Sequence, residues 1–192
     1  MNPVIENLLT RRSVRSFQKK QIPLEDLELI LKAGSYAPNG MGLQAWKFTA
    51  IQNPQVLKKV DDVIRQVILS TPLENADERT LRMIERAKDP NHNFLNNAPT
   101  YIIVSHLKDS LLAMADSALA LGNMMLAAHS LGIGSCWFNS LPRMTHHPCV
   151  RQLLTELEIP EDHIVYAAGV FGYPEGDIKP SAPRKEGIIK IF

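Results

Sequence analysis

Three arginines and two serines fall within seven residues near the start of the chain, in the run Arg-Arg-Ser-Val-Arg-Ser-Phe of residues 11–17. Guanidinium groups form paired hydrogen bonds with phosphate oxygens, and a serine hydroxyl can add a neutral donor. An amphipathic helical pattern over residues 3–10 precedes the run, and Pro3 is acceptable in the first turn of that helix. These residue types suit a binding site for a small anion. A solvated basic turn is the structural alternative.

The composition sets the class of protein. The chain has 192 residues, with 21 Lys and Arg against 20 Asp and Glu and a net charge of +1. This balance gives no electrostatic footprint for nucleic acid, so the basic run indicates a small ligand. Length and composition favour one domain over residues 1–192. Two cysteines, Cys136 and Cys149, are too few for a disulfide framework.

Nothing in the sequence favours a membrane protein. The longest apolar stretch, residues 113–133, contains Asp116, Asn123 and His129, which favours a buried helix of a soluble protein over a membrane span. Glu6 lies within the first eight residues and no apolar signal core follows. We therefore expect a cytoplasmic protein.

Apolar periodicity and turn residues predict a mixture of helices and strands. Helices are predicted over about 3–10, 24–35, 54–69, 74–88, 109–131 and 148–156, and extended segments over 46–51, 101–104, 135–138, 163–171 and 187–192. The almost continuous apolar run at 101–104 predicts a strand buried on both faces. Several helices around a small sheet indicate a single α+β domain.

Four segments that are distant in sequence share features of a site for an anionic, planar cofactor. They are residues 11–15, 37–46, 132–140 and 183–185. The absence of Gly-x-Gly-x-x-Gly after a strand argues against a dinucleotide pyrophosphate site. A mononucleotide therefore fits better than a dinucleotide.

The motifs in these segments resemble those of the nitroreductase family of FMN-dependent oxidoreductases. Arg-Arg-Ser-x-Arg-x-Phe at 11–17 is followed in the family's order by Ala-Pro-Asn-x-x-Gly-x-Gln-Ala-Trp at 37–46 and Gly-Ile-Gly-Ser-Cys-Trp at 132–137. Gly-Tyr-Pro at 172–174 precedes the basic pair Arg184-Lys185. The resemblance spans nearly the whole chain. It implies a small, mostly antiparallel sheet flanked by helices, and a homodimer that exchanges its C-terminal strand and holds FMN at the interface.

The resemblance also assigns roles in FMN binding. Arg11, Arg12 and Ser13 would hold the phosphate and ribityl chain, and either Arg184 or Lys185 would close over the phosphate. Arg15 would lie beside N1 and the C2 carbonyl, where a fixed guanidinium stabilises the negative charge of the reduced ring. Further contacts would come from the turn Trp137, Phe138, Asn139 and Ser140 along the ring, and from the partner's loop Pro38, Asn39, Gly40 and Gly42.

Two positions of that loop depart from the family pattern. Asn39 and Gly42 stand where the family has Ser and Asn, so one side-chain contact is lost at Gly42 and we expect a wider pocket there. Segment 70–97, which shapes the substrate entrance in the family, matches no motif. The sequence therefore does not identify the acceptor.

The implied activity is electron transfer from NADH or NADPH to small electron-poor acceptors such as nitroaromatics and quinones, in a ping-pong cycle. No acid–base catalyst is expected among the side chains, since the protein's task is to orient and tune the flavin. Three alternatives remain open: a relative specialised for enones or halogenated phenols, a non-catalytic FMN-binding, storage or redox-sensing module, and a structural domain without cofactor.

Two other groups of residues invite a functional interpretation. His146, His147 and Cys149 lack a further ligand at zinc spacing and are interrupted by Pro148, so we expect no metal site. Asp116, Asn123 and Ser130 recur every seven residues and form one polar stripe on an apolar helix. Buried hydrogen bonding between helices is the favoured explanation of the stripe, and contact with a partner's flavin is the alternative.

Overall fold

The structure, a computed structural model, describes residues 1–74 and 76–192. Its helices are α1 (Pro3–Thr10), α2 (Leu24–Ser35), α3 (Pro54–Leu69), α4 (Glu78–Lys88), α5 (Ala113–Ser130), α6 (Ser140–Met144) and α7 (Pro148–Glu156). Its strands are β1 (Trp46–Ile51), β2 (Thr100–Leu107), β3 (Gly134–Trp137) and β4 (His163–Gly172), and a 3-10 turn spans Gly40–Gly42.

The described strands form one four-stranded sheet in the order β1-β2-β4-β3, and each neighbouring pair is antiparallel. The central strand β2 is buried along almost its whole length. Tyr101 and Ile103 point into one hydrophobic core with α3, α4 and α7, while Ile102 and Val104 point into a second core with α2 and α5. Burial of the 101–104 run on both faces and the α+β class are confirmed.

Side-chain N-caps mark the starts of α1, α3 and α4. The Asn53 side chain accepts the backbone N–H groups of Gln55 and Val56, and Pro54 occupies the first turn of α3. Helix α4 begins four residues later than predicted, because Asp77 accepts the N–H of Thr80 and serves as its N-cap.

The structure differs from the prediction in three segments. Helix α5 begins at Ala113 and not near residue 109, because β2 extends to Leu107 and turns follow at residues 108–109 and 111–112. The short helix α6 was not predicted. Residues 187–192 pair with no strand of the described chain and are exposed, so exchange of this segment onto a partner remains a prediction.

Candidate functional site

The Arg-rich run crosses the edge of the sheet beside β3. Ser13 forms a parallel β-bridge with Ser135, and the N–H of Val14 donates to the Ser135 carbonyl oxygen at 3.0 Å. Val14 and Phe17 are buried, whereas Ser13 and Arg15 are exposed. The two buried apolar residues therefore anchor the run and leave its polar residues on the surface.

The polar residues of this run line a cavity of about 680 Å³. Its other wall is the segment 174–182, and Arg184 of the tail completes the lining. Five cations, Arg11, Arg12, Arg15, Lys179 and Arg184, face two carboxylates, Glu175 and Asp177. The cavity is therefore lined with an excess of positive charge and suits an anionic ligand.

Two of the guanidinium groups have nitrogen atoms without partners. Arg11 Nη1 and Arg12 Nε are buried, and neither has a hydrogen-bond partner among residues 1–74 and 76–192. Arg12 Nη1 does donate to the carbonyl oxygens of Leu9 and Arg11, at 2.9 and 2.6 Å. Buried donors that the protein leaves unsatisfied are costly, and phosphate oxygens at this position would satisfy them.

A smaller cavity of about 120 Å³ adjoins the first and shares Arg11 and Arg12 with it. Ser135 also lines this cavity, and its buried hydroxyl has no partner within the described chain. The fourth lining side chain with a polar tip, after Arg11, Arg12 and Ser135, is His129 at the end of α5. Burial, followed by the charges of Arg11 and Arg12, lowers the pKa of His129.

One hydrogen bond fixes the tautomer of His129. The hydroxyl of Thr10 donates to the carbonyl oxygen of Glu6 at 2.7 Å, and its oxygen lies 3.0 Å from His129 Nε2. Because the hydroxyl's single proton is already committed, Nε2 is the donor of this second bond. Sequence analysis did not assign His129 to the site; its only signal was a polar residue within an apolar helix.

The backbone contacts of Ser135 place β3 beside the Arg-rich run, and the turn follows directly after this strand. Gly134 is required there, because a Cβ would lie 2.9 Å from the Val14 Cβ. Trp137 is 37% exposed, and the N–H of Phe138 donates to the Ala168 carbonyl oxygen at 2.8 Å. Asn139 then immediately precedes α6 and Ser140 begins it, and neither lines the Arg-rich cavity.

The loop Pro38–Gly42 lies elsewhere in the chain. Gly40 and Met41 line a separate cavity of about 640 Å³, whose other wall is formed by residues 107–112. This cavity and the Arg-rich cavity have no lining residue in common. Lys185, unlike Arg184, is absent from the lining of the Arg-rich cavity. A single protomer thus unites Arg11, Arg12, Ser13, Arg15 and Arg184, but not the loop.

Residues 1–74 and 76–192 show neither of two features that would change the class of protein. They contain no group of three or more His, Cys, Asp or Glu side chains that could hold a metal ion. They also contain no helix that is long and apolar enough to cross a membrane. Cys149 Sγ lies 3.1 Å from His147 Nδ1. His147 immediately precedes α7, and Cys149 lies in its first turn.

Comparison with known proteins gives matches along nearly the whole chain. Residues 8–173 match the sequence model of the Nitroreductase family. The crystal structure of a nitroreductase with bound FMN from Bacteroides fragilis shares 39% sequence identity, covers all of both chains and superposes with a TM-score of 0.91. A protein of Archaeoglobus fulgidus, provisionally named NADH dehydrogenase/NAD(P)H nitroreductase, is 32% identical over 92% of this chain and 88% of its own length. A Thermotoga neapolitana protein named iodotyrosine deiodinase is 28% identical over 94% of this chain and 92% of its own length.

Proposed function

The chain belongs to the nitroreductase family, and from this premise we propose that it is an FMN-dependent oxidoreductase that passes electrons from NADH or NADPH to small electron-poor acceptors. The resemblance based on the four motifs is thereby confirmed. The FMN-bound nitroreductase of Bacteroides fragilis supports the choice of cofactor, and the Archaeoglobus fulgidus relative named for NAD(P)H supports the choice of donor.

The observation that carries the proposal is the pair of unsatisfied guanidinium nitrogens, Arg11 Nη1 and Arg12 Nε, in a cavity lined mostly by cations. A phosphomonoester brings a charge of about −1.5 to −2 at neutral pH and three acceptor oxygens. It can therefore neutralise the arginines and accept from them at once. The residues present fit the phosphate of FMN.

The chain's residues would divide the remaining tasks. Arg11, Arg12, Ser13 and Arg184 would bind the phosphate and ribityl chain, while Arg15 would place its positive charge beside the ring. When bound, FMN would supply the two-electron redox chemistry between the nicotinamide and the acceptor. Residues 137–140 would lie along the ring because the backbone pairing of Ser13 with Ser135 brings the two segments together.

The assembly we propose is a homodimer with one FMN site at each end of the interface. None of the α1 residues is buried, and Val4, Ile5, Leu8 and Leu9 expose large apolar side chains. Ile189 and Phe192 of the tail are also almost fully exposed. A second copy of the chain would cover these surfaces and bring its Pro38–Gly42 loop to the flavin.

For the acceptor, nitroaromatics and quinones are the first proposal. Halogenated phenols are the second, because the similarity to the protein named iodotyrosine deiodinase covers most of both chains. Direct comparison of a nitroaromatic, a quinone and an iodinated phenol in steady-state assays, with the acceptor as the varied substrate, distinguishes the two. The higher kcat/KM identifies the preferred class.

The experiment that tests the proposal is an anaerobic visible spectrum of purified protein loaded with FMN, before and after NADH or NADPH. Bleaching of the flavin bands, followed by their return when the acceptor is added, is the expected result. Flavin bands that persist with both donors would favour a non-catalytic FMN-binding module. A protein that binds no FMN would contradict the proposal.

A further inference from the structure

A buried carboxylate connects α5 to the loop that carries Pro38–Gly42. Asp116, in the first turn of α5, is 6% exposed, and its Oδ1 accepts the backbone N–H of Gly40 at 3.0 Å. The two residues are 76 positions apart in sequence. A hydrogen bond to an ionised group is stronger than one between neutral groups, so this contact holds the loop more firmly than a neutral contact would.

The second oxygen of this carboxylate contacts a histidine of β2. Asp116 Oδ2 lies 3.5 Å from Nε2 of His106, whose side chain is 1% exposed. Within residues 1–74 and 76–192 neither ring nitrogen of His106 has a hydrogen-bond partner. Asp116 therefore lies between a buried imidazole and the loop, and its one hydrogen bond with these two neighbours is the bond to Gly40.

The loop holds part of its conformation with local hydrogen bonds, since the N–H of Gln44 donates to Asn39 Oδ1 at 2.9 Å and the N–H of Leu43 donates to the Gly40 carbonyl oxygen at 3.1 Å. The bond between Gly40 and Asp116 connects the loop to α5. Met41 and Gly42 both adopt left-handed backbone angles, with φ of 52° and 67°, and the Met41 side chain is 86% exposed. Left-handed backbone is unfavourable for a residue such as Met41 unless the surroundings impose it. Gly40 also lies so close to Leu112 that a Cβ would come within 2.2 Å of the Leu112 Cδ1. Asp116 and Leu112, at the start of α5, thus define where the loop can lie.

We propose that Asp116 is a positioning residue for the FMN bound in the partner protomer's site, acting through Gly40 on the loop that covers that flavin. The inference rests on the proposed function, which places this loop over the partner's cofactor. Within one chain the loop and the Arg-rich cavity have no lining residue in common. Asp116 therefore acts on the partner's site and not on the site of its own chain.

Two substitutions at Asp116 separate the hydrogen bond from general stability. Asp116→Asn keeps a side-chain oxygen that can accept from Gly40, whereas Asp116→Ala removes the acceptor. Asp109→Asn is the matched control, since Asp109 lines the same cavity wall and is exposed. We expect Asp116→Ala to raise the Kd for FMN roughly tenfold, the loss that corresponds to one hydrogen bond to a charged group. Asp116→Asn keeps only a neutral acceptor and should raise the Kd by less than Asp116→Ala does, whereas Asp109→Asn should stay within about twofold of the unmodified protein.

Mixed dimers test whether the effect crosses the interface. In a dimer with Asp116→Ala on one chain and Arg11→Ala on the other, one site keeps its own Arg11 and receives an intact loop, so one tight FMN site is expected. With both substitutions on the same chain and an unmodified partner, no tight site is expected. The opposite pattern would show that Asp116 acts within its own chain and would overturn the proposal.

A measurement on the unmodified protein covers the case in which Asp116→Ala fails to fold. The Gly40 amide should exchange with solvent at least about tenfold more slowly than in an unstructured chain, because the bond to Asp116 protects it. Exchange at the unprotected rate would overturn the inference, as would a folded Asp116→Ala variant with unchanged FMN affinity. A wild-type protein that binds no FMN would instead contradict the proposed function, so the two failures are distinguishable.

Discussion

The N–H of Val14 donates to the carbonyl oxygen of Ser135 at 3.0 Å, and this bond joins the Arg-rich run to β3, the strand that leads into residues 138–140. The two segments lie about 120 residues apart in sequence. This one backbone bridge therefore determines the position of the residues proposed to bind the phosphate relative to those proposed to lie along the ring. Disturbing the bridge should therefore affect folding and FMN binding together.

Gly134→Val should weaken this bridge. A Cβ at residue 134 would lie 2.9 Å from the Val14 Cβ, so the added side chain overpacks the contact, at a cost of about 1–3 kcal/mol in the free energy of unfolding. Chemical denaturation and flavin content of the purified protein measure the two effects. Val14→Ala in the same chain keeps this Cβ but removes the Val14 Cγ2, which would lie 2.7 Å from the new Cβ, and should therefore recover part of the loss. Equal stability of Gly134→Val and unmodified protein would contradict the close packing.

Arg184 and Lys185 are adjacent in sequence but should differ in their effect on FMN. Only Arg184 lines the Arg-rich cavity, so Arg184→Ala should raise the Kd for FMN by roughly tenfold. Lys185→Ala removes the same charge from the tail and serves as the control, with an expected change of less than about twofold. Fluorescence titration of apoprotein with FMN gives both values. Equal losses from the two variants would show that the tail acts only through its net charge.

FMN binding should be accompanied by proton uptake at His129. In the empty site burial and the charges of Arg11 and Arg12 lower the pKa of His129 below its usual 6.5, so the imidazole is neutral at pH 7. A bound phosphate offsets those two charges and raises this pKa, which favours the protonated ring. Titration calorimetry at pH 6.5 in two buffers of different ionisation enthalpy measures the uptake.

His129→Gln should bind FMN with less proton uptake than the unmodified protein. His146→Gln is the control, because His146 is exposed and remote from the cavity lining. Any proton that the phosphate itself releases on binding is common to all three proteins and cancels in the comparison. The same uptake in His129→Gln and unmodified protein would assign the proton to another group.

Acidification below pH 6.5 should destabilise the fold through His163. This side chain is 4% exposed and its Nδ1 lies 3.2 Å from the Ser105 hydroxyl, and burial lowers its pKa below 6.5. The unfolded chain then gains a proton at a pH where the folded chain does not, so the free energy of unfolding falls as the pH drops through 6.5. Melting temperatures between pH 8 and pH 5.5 should show this fall, and His163→Gln should flatten it. An unchanged slope in the variant would exclude His163 as the cause.

Turn and capping residues made the helix boundaries predictable where their partners were local. Pro148 marked the start of α7, and Asn53-Pro54 marked that of α3. The start of α4 was missed because Glu74 and Asp77 are equally plausible first-turn residues in sequence, and only the bond that the Thr80 N–H donates to Asp77 Oδ1 separates them. Local chemistry thus predicted the helix, but its first residue depended on a single hydrogen bond.

The composition of the site was predictable only in part. Motif order brought out Arg11 and its neighbours, but the sequence could not separate Arg184 from Lys185, because that difference depends on the path of the tail through space. His129 and the contact of Asp116 with Gly40 were missed for the same reason. Each requires knowledge of which side chains meet across the fold, which no spacing along the chain provides.

The alternation of side chains along β2 has a consequence for how the protein unfolds. Ile102 and Ile103 are neighbours in sequence, yet each belongs to a different core. Neither core can melt while the other stays native, since both need the same strand in place. Both should therefore be lost in one transition with one midpoint, and a ligand that binds only at the β3 edge should raise that midpoint for the helices on both sides of the sheet.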